Sequence, residues 1–184
     1  MSHLRVYMDS DPSKVRVSTG DFENIQTHLG AVGVRFSRWL THAGVTAGDA
    51  PEKVIEAYRE DIERLKAEGG YQAVDVVSLG PTHPDKVMLR QKFLNEHTHD
   101  EDEIRFFVAG QGLFTLHIGD EVFEVLCRRN DLIGVPAGTA HWFDMGPEPE
   151  FVAIRIFTNP AGWVAKFTGS NIAERFPRLE GMPM

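Results

Sequence analysis

Apolar positions in the first half of the chain recur at helical spacing in two places. In 21–29, Phe22, Ile25 and Leu29 fall three and four apart and Gly30 follows, which predicts a short amphipathic helix stopped by glycine. A second stretch carries Val54, Tyr58, Ile62 and Leu65 as one stripe, with Glu56, Arg59, Glu60, Glu63 and Lys66 turned away and Gly69-Gly70 ending the run. Pro51 in its first turn, and Asp49 with Glu52 three residues on, read as a capping box. Short β-like segments fill much of the rest: 32–36, 74–79, 87–94, 103–108, 113–118, 121–125, 132–135, 141–144 and 152–157. Gly110-Gln111-Gly112 and Gly119-Asp120 between them read as hairpin turns. Many short strands with helices placed ahead of them predict a mainly β protein, an antiparallel barrel with two or more N-terminal helices packed outside.

Composition narrows the classes of partner. A chain of 184 residues that is 42% hydrophobic suits a single domain over 1–184, with a helix-containing part at 1–85, a barrel core at 86–160 and an extension at 161–184. A formal charge of −8 argues against nucleic acid or an anionic membrane surface, both of which reward clustered Lys and Arg. No apolar run approaches the ~18 residues of a membrane span, and the first residues lack the basic-then-apolar layout of a signal peptide. Cys127 is the only cysteine, so no internal disulfide can form. A cytoplasmic monomer is the expectation.

The chemistry concentrates in one stretch. His97 and His99 lie two apart, so on an extended chain both imidazoles project to one side, about 7 Å apart at the Cα atoms. Glu103 shares their parity, and the turn in Pro136-Ala137-Gly138-Thr139-Ala140-His141 can deliver His141 from a neighbouring strand. Three imidazoles and one carboxylate suit Fe(II), Ni(II), Mn(II) or Zn(II) rather than Ca(II) or Mg(II), and leave coordination positions for chemistry. Arg105 follows Glu103 by two and enters the same interior, where a guanidinium needs an anion, either a substrate or an acid such as Asp102 or Glu124. Phe93, Phe107, Phe143 and Trp163 are the candidate walls of a small apolar pocket.

The pattern His97-x-His99-x3-Glu103-x6-Gly110, then Pro136-x-Gly138-x2-His141, resembles the two motifs of the cupin superfamily. That resemblance implies a jelly-roll-like double-stranded β-helix around a metal. Asn130-Asp131 and Met145 depart from the usual ends of the second motif, at positions that ligate no metal. A closer likeness lies in Gly33-Val34-Arg35-Phe36-Ser37-Arg38-Trp39, 97–107, 135–143 and Thr158-Asn159-Pro160-x-Gly162-Trp163, which resemble the bacterial acireductone dioxygenases over nearly the whole chain. The family likeness implies cleavage of the methionine-salvage acireductone 1,2-dihydroxy-5-(methylsulfanyl)pent-1-en-3-one by O2, with one Fe(II) or Ni(II) per chain. Iron would give 4-methylsulfanyl-2-oxobutanoate and formate; nickel would give 3-(methylsulfanyl)propanoate, formate and CO. It also implies His97, His99, Glu103 and His141 as ligands, Arg105 as the residue favouring the substrate dianion, and Glu96 and Asp102 in metal incorporation and conformational relay. The alternatives are another metal cupin, an isomerase or a decarboxylase, and a non-catalytic cupin that binds a small ligand.

Overall fold

A computed structural model of the chain describes residues 1–41 and 44–181. The last three residues of the expected C-terminal extension lie outside that range. In chain order the elements are β1 (His3–Met8), β2 (Asp11–Thr19), α1 (Phe22–Ala31), β3 (Arg35–Arg38), α2 (Pro51–Ala57), α3 (Arg59–Gly69), β4 (Ala73–Leu79), α4 (Lys86–Leu94), β5 (His97–Thr98), β6 (Glu103–Ile118), β7 (Glu121–Arg128), β8 (Asp131–Val135), β9 (Ala140–Asp144), β10 (Phe151–Phe157) and β11 (Lys166–Phe167).

Strand β6 organises the fold. Its first half pairs with β8 and β10, which carry β3 and β4 at their outer edges. Its second half pairs with β7 and β9, which continue to β1–β2 and β5–β11. All these pairings are antiparallel, so the mainly β, barrel-like expectation holds, with two sheets sharing one strand. Between them lies a core that includes Leu4, Phe107, Phe114, Leu116, Phe143 and Phe151. Helices α2 and α3 cover the other face of the first sheet, Val54, Tyr58, Ile62 and Leu65 packing with Ile104, Phe106 and Ile154. A C-terminal arm covers the other face of the second, where Ile172 and Phe176 meet Tyr7 and Trp142.

Gly110 is where β6 passes from one sheet to the other. Odd residues face the inter-sheet core before it and even residues after it, as Phe107 and Phe114 show. The expected hairpin at 110–112 is therefore a kink inside one strand. Gly110 sits at φ +69°, and a Cβ there would lie 1.8 Å from the Glu150 carbonyl, so only glycine fits. The expected turn at Gly119-Asp120 does join β6 to β7.

Three further expectations are corrected. The segment 87–94 is helix α4: Met88, Leu89, Arg90, Gln91 and Lys92 are strong helix formers, and the alternation of Val87, Leu89 and Phe93 imitated a strand. The long helix is split at Tyr58 (φ −114°, ψ 22°) into α2 and α3. Its capping box does not form, because with Pro51 in the first turn the cap position falls on Ala50. Asp49 instead accepts from the Thr46 backbone N–H (2.8 Å) and Lys53 Nζ (2.9 Å). By contrast Asp21 caps α1 as its position suggests, accepting from the Asn24 N–H at 2.9 Å.

Candidate metal centre

The ligand candidates meet at the end of the barrel where β6 begins. Strand β5 pairs with β9 so that His97 lies directly opposite His141, and one face of the ladder presents both rings, their centroids 4.4 Å apart. His99 follows β5 with its ring centroid 5.2 Å from each of the other two. Each imidazole is oriented by its Nδ1, which faces a backbone carbonyl: Asn95 for His97 (2.7 Å), Val164 for His99 (3.1 Å) and Thr139 for His141 (2.8 Å). Such bonds fix the tautomer that leaves Nε2 as a lone-pair donor. One ring nitrogen from each histidine lies within 4.8 Å of the others, near the ~3–4 Å spread that two metal bonds of ~2.1 Å give.

Glu103 lies beside the three histidines but outside their 4.8 Å group. Its Oε2 lies 3.4 Å from His99 Nε2 and 3.8 Å from His141 Nε2. Glu103 Oε2 and His141 Nε2 are both buried and without a hydrogen-bond partner. Two orphaned acceptors facing one another are costly in a dry interior. A divalent cation shared between them satisfies both, so the residues fit a metal.

The electrostatics agree. Burial pushes His97 down to about 4 and His141 down to about 3, the neighbouring histidines adding to the shift, so both rings are neutral near pH 7. Burial works to raise Glu103, but Arg105 first, then His141 and Arg155, overcome it and hold the carboxyl at about 2. Neutral imidazoles and an ionised carboxylate are the protonation states a metal requires.

Arg105 enters this interior as its parity predicts, but its partner is neither Asp102 nor Glu124. It grips Glu103 Oε1 through Nε (3.1 Å) and Nη2 (2.8 Å), leaving Oε2 turned to the histidines. Its guanidinium carbon lies 4.9 Å from the ring centroids of both Phe114 and Phe143. Glu124 belongs to a different place, the outer face of the second sheet, where it pairs with Arg5 at 2.9 Å.

The remaining predicted residues scatter. Glu96 is buried beside His97, its two oxygens taken by Thr168 Oγ1 (2.7 Å) and His117 Nδ1 (2.9 Å). Asp102 is exposed and accepts from the Ala137 N–H at 2.8 Å, which pins the turn leading to His141. Phe107 and Phe143 are fully buried, and Phe93 reaches Phe143 edge-on at 6.2 Å from helix α4, not from a strand. Trp163 is 55% exposed, on the surface rather than among the buried rings. Three rings not singled out in the sequence touch the ligand candidates. Phe114 stacks on His141 at 5.2 Å, Phe157 meets His99 at 5.6 Å and Phe167 meets His97 at 5.8 Å. Phe114 was hidden by the parity change at Gly110, whereas Phe157 sits in plain alternation at the end of β10.

A barrel-like β fold with three imidazoles and one carboxylate converging in its end defines a metal-binding protein of the cupin type. Comparison with known proteins makes this specific: residues 3–165 match the ARD/ARD′ family. Acireductone dioxygenases of Hahella chejuensis and Pseudomonas paraeruginosa are 57% and 59% identical to the chain over 180 residues. These alignments cover 98% of this chain and 97% and 99% of those proteins. An acireductone dioxygenase from Bacillus anthracis, solved with a cadmium ion in its active centre, superposes with a TM-score of 0.76 at 28% identity. That match covers 91% of this chain and 98% of that one. The chain belongs to the ARD/ARD′ family.

Proposed function

We infer that this chain is a metal-dependent dioxygenase that cleaves an acireductone with O2. The observation that carries the reading is near-full-length identity of 57–59% to proteins of that activity. The site supplies the chemistry. Nε2 of His97, His99 and His141 and Oε2 of Glu103 would hold one divalent ion. A bound ion there supplies Lewis-acid polarisation and eases deprotonation of an ene-diol. Three nitrogens and a carboxylate suit Fe(II), Ni(II), Mn(II) or Zn(II), and the family likeness leads us to assign Fe(II) or Ni(II).

The chain's own residues do the rest. Arg105 presents a fixed positive charge beside Glu103, where the negative charge of a deprotonated ene-diol is stabilised without reorganisation. The rings of Phe114 and Phe143 flank that guanidinium and shield it from water, which strengthens the attraction. Glu96, fastened to Thr168 and His117, holds the backbone that carries His97 against the C-terminal arm. Asp102 does the same for the turn before His141. We assign both a positioning role and place the protein in the cytoplasm. Among the described residues no helix is long and apolar enough to cross a membrane.

The test is product analysis of protein stripped of metal and reloaded with each ion. The reading predicts 4-methylsulfanyl-2-oxobutanoate and formate with Fe(II), and 3-(methylsulfanyl)propanoate, formate and CO with Ni(II). Loss of substrate at only the uncatalysed rate with both metals would refute it, and favour a ligand-binding cupin.

A further inference from the structure

The first sheet carries a row of four charges across three strands. In strand register Asp75 of β4 lies opposite Arg155 of β10, and Arg155 lies opposite Arg105 of β6. Arg155 donates from Nε to Asp75 Oδ1 at 2.8 Å and from Nη2 to Oδ2. On the other side Arg105 donates from Nε and Nη2 to one oxygen alone, Glu103 Oε1. Side-chain exposure falls steadily along the row, 41% at Asp75, 13% at Arg155, 6% at Arg105 and 1% at Glu103. The row therefore leads from solvent at β4, which lies at the edge of its sheet, to the carboxylate facing the histidines. Arg155 is also next to the ligands on a second path: its guanidinium carbon lies 5.7 Å from the Phe157 ring, and that ring touches His99.

Two guanidiniums opposite one another on adjacent strands repel, which is a poor choice for stability alone. The arrangement makes sense when an anion comes between them. We propose that Asp75 and Arg155 form a substrate-positioning pair, in which Arg155 leaves Asp75 to meet the anionic oxygens of an ene-diolate entering from the β4 edge. This rests on the dioxygenase reading above. Asp75 is the competitor that substrate displaces, and because it is 41% exposed its carboxylate returns to water at little cost. Arg155 is thus the outer of two cations, Arg105 the inner. No covalent step is assigned to either residue of the pair.

The pair predicts opposite signs for its two members. In metal-reloaded protein followed by oxygen uptake, Arg155→Met raises KM for acireductone by about 10- to 100-fold, with kcat changed much less. Arg155→Lys recovers part of that loss. Asp75→Asn removes the competitor and lowers KM, and the double variant behaves like Arg155→Met. The increase of KM with added salt is flatter in Arg155→Met than in the parent. A purely structural ion pair would move both single variants the same way, or neither, and either result overturns the proposal. Should Arg155→Met fail to fold, Asp75→Asn decides alone: an unchanged or raised KM sinks the idea. If the parent protein itself consumes no oxygen beyond the uncatalysed rate, the dioxygenase reading has failed and the proposal falls with it.

Discussion

Arg105 and Glu103 are each held by the other, two buried charges that share a single pair of hydrogen bonds. Breaking such a pair leaves an uncompensated charge and commonly costs ~3–5 kcal/mol. Arg105→Ala should therefore melt at lower temperature than the parent when stripped of metal. A bound divalent ion compensates Glu103, so the variant should still bind metal by elemental analysis. Turnover should fall by roughly 10²–10³, the usual effect of removing one preorganised charge donor. Normal substrate affinity together with full activity would remove Arg105 from the mechanism. His97→Ala and His141→Ala should lose metal and activity together. Glu124 offers a contrast away from the site: burial lifts it to about 7, against the pull of Arg5 and Tyr7. A group raised in the folded state holds more protons than the unfolded chain between its usual 4.5 and about 7, so its contribution to stability is lost as pH rises through that window. Glu124→Gln should therefore gain melting temperature relative to the parent on going from pH 5 to pH 8; a gap that stays constant would contradict the shift.

At the scale of elements, the site could be read from the sequence because it depends on short-range geometry. His97, His99 and Glu103 share parity along one local stretch, and the Pro136–Gly138 turn fixes where His141 begins its strand. What could not be read depends on long-range pairing. β2 is polar along most of its length and, among the described residues, pairs with β1 alone, so the core imprints little pattern on it. Val87, Leu89 and Phe93 alternate like a strand, yet α4 buries none of its residues fully: Leu89 and Phe93 rest half-buried on the core, and Arg90 ties the helix down by binding Asp144 at 2.8 Å and 3.0 Å. The partner of Arg155 was equally hidden, since Asp75 enters only through the β4–β10 ladder, whereas Glu103, the partner of Arg105, lies two residues away on the same strand. The kink in β6 is the element on which both sheets rely. Gly110→Ala would press a Cβ onto the Glu150 carbonyl and force a left-handed conformation on alanine. It should destabilise the protein by more than about 2 kcal/mol in urea unfolding, whereas Gly119→Ala, with open space around its Cβ, should cost less.

For the molecule as a whole, the metal and the fold are linked. His97 and His141 are depressed from 6.5 to about 4 and about 3, and Glu103 from 4.5 to about 2. In each case the folded state binds fewer protons than the unfolded chain between the two values. The metal-free protein should therefore lose stability as pH falls below about 6.5, continuously to about 2. Protons and metal compete for the same atoms, so the loaded protein should release its ion on acidification as well. Chelation at neutral pH should lower the melting temperature, because the partnerless Glu103 Oε2 and His141 Nε2 lose their only compensation. The central claim is that these four side chains make one metal ion into the reaction centre. Oxygen uptake with acireductone tests it most directly, comparing stripped protein, protein reloaded with Fe(II), and His141→Ala treated identically. The account predicts rapid uptake in the reloaded protein alone, rising in proportion to bound metal up to one ion per chain. Equal uptake in all three samples would contradict it.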